Sequence, residues 1–290
     1  MAESKRMERK HSNVKDIKIS KSREMKIKQI IVNTGKKLFP FGLRIIFRKL
    51  NWKRHYIQQL ILNKSLPHKV YCPIAKKEFK RFIKSGNDLL TPSNGARCRQ
   101  RMVWHYLENE LNIRNDRLRL LHIAPEYSFF QVLNKQTNID YLAGDKMVLG
   151  YSNQKGVNHI DLTDLKFDDS SFDCILANHV LEHIPDDKKA MTEIYRTLKT
   201  DGVGVITIPV DEKLEKTYED SSIVSPKDRE KHFGQWDHLR MYALDVKERF
   251  EQAGFKVEIN RYANKFSNEE KEKYGFMDGT VIFVLRKNSL

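Results

Sequence analysis

Cysteine is scarce in this chain of 290 residues: Cys72, Cys98 and Cys174 are the only three. They are too few and too scattered for a disulfide framework, which excludes the stapled scaffolds of small secreted proteins and fits a reducing compartment. Long apolar runs are missing as well. No stretch approaches the roughly 20 residues of a spanning helix, and the opening "MAESKRMERKHSN" lacks the apolar core of a secretory signal. A cytoplasmic location is therefore expected. Glycine is absent where it would be most telling. The stretch "LRLLHIAPEYSFF", residues 118–130, reads as a strand breaking into a helix, the way nucleotide-binding α/β units open. Yet Ala124, Pro125 and Glu126 stand where such a turn usually has glycines.

Most of the chain also lacks a charge excess. The formal net charge is +15, but residues 1–70 hold 19 Lys and Arg against 4 Asp and Glu, and residues 71–290 hold 34 of each sign. A basic arm on a neutral body points to an acidic surface as the arm's partner, phospholipid headgroups or nucleic acid. Residues 1–29 are rich in Lys, Ser and Glu without hydrophobic period and are expected to be disordered. Residues 30–70 form the rest of the arm. Within it, residues 38–63, "LFPFGLRIIFRKLNWKRHYIQQLILN", mix Leu, Phe, Ile and Trp with Arg and Lys in the manner of interfacial amphipathic helices. Two alternatives remain open for that segment: packing on the domain with a solvated basic face, or tethering to RNA. Nucleic acid is the less favoured partner, because the body is neutral.

What is there, from residue 71 on, is an α/β alternation. The pattern predicts helices over 98–112, 126–135 and 242–253, and strands over 118–124, 139–144, 157–160 and 172–178. In "DDKKAMTEIYRTLKTDG", Ala190, Ile194 and Leu198 recur every four residues, and Thr200-Asp201-Gly202 is expected to stop the helix with Gly202 left-handed. The strand "VGVITIP", a long polar loop and the strands "FKVEI" and "TVIFVLRK" complete the series. Strands alternating with helices imply an α/β class domain built on a mostly parallel sheet with helices on both faces, with ligands at the carboxyl ends of the strands. Those ends carry acids. Asp145 closes the second strand, where a ribose-bearing cofactor is usually held by its hydroxyls, and Asp161 and Asp164 follow the third, able to accept from an exocyclic amine.

The run "FDDSSFDCILANHVLEHIPDDKKAMTEIYRTLKTDGVGVITIP" resembles the fourth and fifth strands of class I S-adenosylmethionine-dependent methyltransferases of the type 11 group, which have a Rossmann-like fold. "HIAPE" resembles the first motif of a bacterial subgroup of them. The resemblance implies S-adenosyl-L-methionine as cofactor, with His122, Ala124 and Glu126 at the first motif, Asp145 on the ribose, Asp161 and Leu162 on the adenine, and Asn178 and His179 after the fourth strand. Glu126 would salt-bridge the cofactor's ammonium. The segment "KHFGQWDHLRMYALDVKERFEQAGF" resembles the part that covers the cofactor and lines the acceptor pocket. A hydroxyl acceptor needs a base, for which His183, Asp237, His238 and His232 are the candidates.

The same subgroup opens with a four-cysteine zinc knuckle, and residues 71–112 resemble that module with a departure. Cys72 keeps its place, while Ala75, Thr91 and Asn94 fill the other ligand positions, so packing is expected to replace the metal and no metal is expected. Arg99, Arg101, Trp104 and Tyr106 match the helix that follows. Residues 113–290 make the methyltransferase domain. The expected function is methyl transfer to a small-molecule, lipid or saccharide acceptor, with an inactive binding module of the same fold or an RNA methyltransferase as alternatives. Peripheral contact with the inner face of the membrane would run through residues 38–63.

Overall fold

A computed structural model describes residue 57, residues 69–146 and residues 156–287. The basic tail over 1–29 and nearly all of the arm over 30–70, including the amphipathic reading of 38–63, lie outside the described residues. Two small antiparallel hairpins come first, β1 (Val70–Cys72) with β2 (Lys77–Phe79) and β3 (Ile83–Ser85) with β4 (Asp88–Leu90). Helix α1 (Cys98–Asn109) leads into β5 (Leu118–Ile123), α2 (Tyr127–Leu133), β6 (Ile139–Asp145), β7 (Asn158–His159) and β8 (Phe172–Asn178). Next are α3 (Asp187–Thr197) and β9 (Leu198–Thr207), followed by β10 (Tyr218–Glu219), α4 (Pro226–Phe233), β11 (Arg240–Met241) and α5 (Val246–Gln252). The last elements are β12 (Phe255–Asn260), α6 (Asn268–Tyr274) and β13 (Ile282–Lys287).

Seven strands form one sheet in the order β12-β13-β9-β8-β5-β6-β7. Strands β7, β6, β5, β8 and β9 run parallel, and β13 is antiparallel to both β9 and β12. This is the mostly parallel α/β sheet the sequence pattern implies. Side chains alternate across it because successive residues of a strand point to opposite faces. Leu120, Cys174, Leu176, Val205, Ile282 and Val284 pack on one side with Trp104, Leu107 and Phe129. On the other, Leu121, Ile123, Ile175, Ile206 and Phe283 pack with Ala190, Met191, Ile194, Val246 and Phe250. Both faces are dry, which is why these strands read as near-continuous apolar runs.

The order of the sheet reverses its direction of growth at β5: the chain goes out to β6 and β7, then returns to β8 on the other side. A crevice opens at the carboxyl ends of β5 and β8 for this topological reason.

Several boundaries differ from the sequence reading. Helix α3 ends at Thr197 and the chain enters β9 at once. The pairing of Phe172 with Leu198 and of Cys174 with Val203 leaves residues 199–202 looped out of the ladder, and the left-handed residue there is Asp201 (φ 65°), not Gly202. Gly202 is required for space, since a Cβ there would lie 2.9 Å from both Leu198 Cγ and the Lys199 carbonyl oxygen. The long polar loop before α5 carries β10, α4 and β11 as small elements of its own.

The first hairpins are held to the domain by Arg101, which is fully buried. Its guanidinium donates to the carbonyls of Leu89 (2.9 Å), Ala96 (2.7 Å), Tyr274 (2.8 Å) and Gly275 (2.8 Å), and stacks 3.8 Å over the Phe82 ring. Burial pulls its pKa down to about 10, so it remains charged at neutral pH. The expectation that this module stands by packing fits its interior, where Thr91 Oγ1 donates to Cys72 Sγ (3.2 Å) with both side chains buried. Trp104 packs edge-on against Phe129 and Tyr106 against Tyr262, so these matched residues of α1 are core rather than cleft.

Gly144, in β6, gives a test of this packing. A Cβ there would fall 2.1 Å from Ile160 Cδ1 and 2.9 Å from Ile160 Cβ. Gly144→Ala is expected to destabilise the domain by about 1–3 kcal/mol, as overpacking does. In an Ile160→Ala background, which removes the contacts beyond Cβ and leaves the 2.9 Å one to Cβ, the same substitution should cost less. Equal losses in both backgrounds, by denaturant unfolding, would place the constraint elsewhere.

Candidate functional site

Both strands that flank the crevice end in a left-handed residue that is not glycine. Ala124 (φ 48°) follows β5 and donates its N–H to the Gly144 carbonyl on β6 at 2.7 Å. His179 (φ 54°) follows β8 and donates to the Thr207 carbonyl on β9, also at 2.7 Å. The left-handed conformation costs about 1–2 kcal/mol for a residue with a Cβ. A backbone hydrogen bond returns about 1 kcal/mol, so each turn is held under a small net strain, as is common where ligands bind. Alanine adopts the backbone a glycine would, with only one methyl added.

A chain of hydrogen bonds crosses the carboxyl ends of four neighbouring strands. The Tyr141 hydroxyl on β6 meets His122 Nδ1 on β5 at 3.0 Å, and His122 Nε2 meets Glu126 Oε2 at the N-cap of α2 at 3.1 Å. Asn178 Nδ2 on β8 donates to the same oxygen at 3.3 Å, and Thr207 Oγ1 on β9 donates to Asn178 Oδ1 at 2.9 Å. Burial pushes the Glu126 carboxyl up, but the hydrogen bond and charge of His122, the charge of Arg99 and the Asn178 amide together hold it below the ordinary value. It is a carboxylate, so Nε2 of His122 donates to it, while Nδ1 lies 3.0 Å from the Tyr141 hydroxyl. Burial and the Glu126 charge raise the Tyr141 hydroxyl, which keeps its proton. The other oxygen, Glu126 Oε1, is buried without a hydrogen-bond partner, as is Arg99 Nε. An ionised oxygen left unmatched in a crevice has the character of a place kept for a cationic donor.

The remaining cofactor candidates lie at the neighbouring strand ends. Asp145 is the last residue of β6, partly buried. Asp161 follows β7, and its side chain is well supplied: Oδ1 accepts from Thr163 N (3.0 Å) and Oγ1 (2.8 Å), and Oδ2 pairs with Lys146 Nζ (2.8 Å). The Lys146 pairing, aided by Thr163, brings its pKa down to about 2. Leu162 is buried beside it.

Sequence reasoning missed Glu182, which lies in the 3-10 turn Leu181–His183 and is fully buried. Neither of its oxygens accepts an aligned hydrogen bond. Its Oε1 is 3.3 Å from His179 Nδ1, 4.0 Å from His183 Nε2 and 4.0 Å from His238 Nε2. The signal was in the sequence as "HVLEH", where Glu182 is three residues from His179 and adjacent to His183, but an acid within an apolar turn reads as exposed. His183 Nδ1 faces the Asp237 carbonyl (3.3 Å) and carboxylate (3.5 Å). His238 Nδ1 is 2.9 Å from the Phe233 carbonyl, and burial lowers its pKa against the opposing charge of Glu182. The structure therefore brings three of the four candidate bases together, His183, Asp237 and His238. His232 is not among them: it is exposed on α4 and pairs with the Tyr218 hydroxyl at 3.1 Å.

Arg240 fixes this second cluster. It donates to the carbonyls of Leu181 (3.2 Å), Ile184 (2.6 Å) and Pro185 (2.9 Å) and pairs with Glu219 (2.8 Å). Arg249 joins Asp187 and Glu219, and the Tyr242 hydroxyl donates to Asp187 at 2.6 Å. The Leu239 N–H donates to the Glu182 carbonyl at 2.9 Å. The segment 237–242 is thereby fastened to the turn after β8.

Residues 130–206, from α2 to the end of β9, match the family model described as a methyltransferase domain. No curated protein matches the chain. Among solved structures, the YcgJ protein from Bacillus subtilis is 15% identical, with 64% of this chain and 99% of that one covered and a TM-score of 0.42. An S-adenosylmethionine-dependent methyltransferase from Mesorhizobium loti is 13% identical, with 64% and 98% covered and a TM-score of 0.44. The Burkholderia thailandensis 1,6-didemethyltoxoflavin-N1-methyltransferase, with bound 1,6-didemethyltoxoflavin and S-adenosylhomocysteine, is 15% identical, with 64% and 76% covered and a TM-score of 0.43. The described sheet, with its single antiparallel β13, is the Rossmann-like one expected of class I methyltransferases, and it carries a methyltransferase domain, of the enzyme class whose methyl donor is S-adenosylmethionine.

Proposed function

We propose that this chain transfers a methyl group from S-adenosylmethionine to a hydroxyl of a small-molecule, lipid or saccharide acceptor. The observation that carries the reading is the pairing of two clusters at the ends of β5 and β8: an ionised, half-satisfied Glu126 on one side and Glu182, His183, Asp237 and His238 on the other. The residues fit the cofactor. Glu126 Oε1 would take its ammonium, Asp145 the ribose hydroxyls, and Asp161 with Leu162 the adenine edge. The left-handed turn at Ala124 and the Asn178-His179 segment would form the walls. His122 acts through Glu126, holding the carboxylate in place and charged.

The bound cofactor supplies an electrophilic methyl on a sulfonium, so the protein's main contribution is alignment. A hydroxyl must also lose its proton. That task falls to the second cluster, in which the Asp237 carbonyl and carboxylate orient the His183 ring. The residues after β8 read Asn178-His179-Val180-Leu181, without the "N/D-P-P-Y" type of motif that serves amino-group methylation, which favours oxygen as the acceptor atom.

Glu126→Gln keeps the shape and removes the charge. It should weaken S-adenosylhomocysteine binding by about 1.5–3 kcal/mol, the range for hydrogen bonds to a charged group, which is roughly 10-fold to 100-fold in Kd. Asp145→Ala should act similarly. Unchanged affinity by calorimetry in the folded variants would remove these residues from the site, and a wild type that binds no ligand at millimolar concentration would favour a binding module without catalysis.

To the basic segment 38–63 we assign contact with an anionic membrane surface. None of the described helices is long and apolar enough to cross a membrane. A protein starting at residue 68 should lose binding to anionic vesicles and keep binding cofactor. Vesicle binding of the full chain should survive moderate salt in part, because apolar burial contributes. An RNA tether would instead weaken by orders of magnitude between about 50 and 200 mM salt.

A further inference from the structure

We propose that Glu182, His183 and His238 form a binding site for one divalent transition-metal cation at the acceptor side of the crevice. Their ligand atoms, one carboxylate oxygen and two imidazole nitrogens, lie within 4.8 Å of one another. The site departs from the sequence expectation of no metal, and it is separate from the Cys72 module.

Three features point to a cation. The first is the state of Glu182: a carboxylate with no exposure and no aligned hydrogen bond on either oxygen is costly to bury, and the groups that reach it are imidazoles, His179 Nδ1 at 3.3 Å and the Nε2 atoms of His183 and His238 at 4.0 Å. The second is the direction of the two rings. His238 Nδ1 is 2.9 Å from the Phe233 carbonyl, which can only accept, so Nδ1 carries the proton and the Nε2 lone pair is turned toward Glu182. His183 repeats the arrangement, with Nδ1 on the Asp237 carbonyl and carboxylate and Nε2 toward Glu182. Two lone pairs and a carboxylate facing one point are a donor set suited to a shared positive charge between them. A ring N–H given to a carbonyl or carboxylate, with the other nitrogen turned inward, is also how imidazole ligands of metals are oriented.

The third feature is the donor set. Two imidazoles and one carboxylate suit zinc, iron(II) or cobalt(II), whereas calcium and magnesium prefer oxygen ligands. Bonds of about 2.0–2.1 Å in a tetrahedral site put ligand atoms roughly 3.4 Å apart. The 4.0 Å separations from Glu182 Oε1 to the two rings therefore need to contract by about half an ångström, and the widest separation of the set, within 4.8 Å, by up to about 1.4 Å, which requires χ rotation of the two rings toward each other. His183 is 28% exposed, which leaves an open side for entry and for an acceptor oxygen. A cation at this point would lower the pKa of that oxygen, performing the deprotonation that the cluster is assigned.

Cation binding stands on these side chains alone and is tested without methyl transfer. The full-length protein, purified without an affinity tag, is titrated with Co2+ followed by its visible absorption, and with Zn2+ as competitor. One equivalent should bind. His183→Ala and His238→Ala should each weaken it by about 100-fold or more, since even the groups that orient such ligands are worth roughly 10-fold to 100-fold, and Cys72→Ser should leave it unchanged. X-ray absorption of the zinc-loaded wild type should show nitrogen and oxygen neighbours with imidazole scattering and no sulfur, a result that does not depend on any variant folding. Sulfur at the metal, unaltered binding in the folded histidine variants, or no stoichiometric cation in the folded wild type would each overturn the proposal, the last leaving the cluster as a buried ion pair.

Discussion

The cluster around Glu182 depends on the guanidinium of Arg240. It is 6% exposed and its donors are spent on three carbonyls of the turn after β8 and on Glu219. A surface ion pair between long side chains contributes little, on the order of 0–1 kcal/mol. Arg240 differs because its partners are backbone carbonyls covered by the segment 237–242, of which Leu181 also accepts from Ile184 N and the Tyr242 hydroxyl. Losing such a hub leaves several buried acceptors unpaired at about 1–3 kcal/mol each. With that hub in place, Tyr242, Arg249 and Asp187 complete the fastening, and the histidine beside the segment is delivered to a turn some 55 residues earlier in the chain.

The cofactor side is organised by a different device, a relay of hydrogen bonds across strand ends. In the usual first motif an acid sits at the end of the first strand. Here an imidazole takes that place and the acid stands four residues on, at the N-cap of α2. His122 and Glu126 together place an anion near the end of β5, with the imidazole buried. Asn178 and Thr207 extend the relay to β8 and β9, so the geometry of Glu126 is tied to the sheet rather than to a loop.

The sheet was legible in the sequence because both of its faces are dry: the runs "LRLLHI", "FDCILAN" and "FVLRK" leave few other readings, and strand ends then indicate where ligands go. Glycine conventions misled. Gly202 is needed for clearance and not for its dihedral, while Asp201 and His179, of types that tolerate the left-handed region, and Ala124, which does not favour it, take left-handed conformations. The convergence of His183 with Asp237 and His238 was expected only as a set of candidates, because no periodicity relates positions 183 and 238. Glu182 was passed over since its burial is a property of the segment 237–242 folding onto the turn, which one stretch of sequence does not contain.

Arg101 has a consequence for the order of events in the cell. Its carbonyl partners at Tyr274 and Gly275 lie 173 and 174 residues downstream. While the chain is being synthesised, the hairpins of residues 70–90 and helix α1 emerge well before residues 274 and 275, and until those arrive their central cation has only the Leu89 and Ala96 carbonyls and the Phe82 ring in place of water. The part of the domain made earliest is therefore the part finished latest. A ribosome that stops short of residue 274 releases a chain in which Arg101 lacks two of its four carbonyl partners.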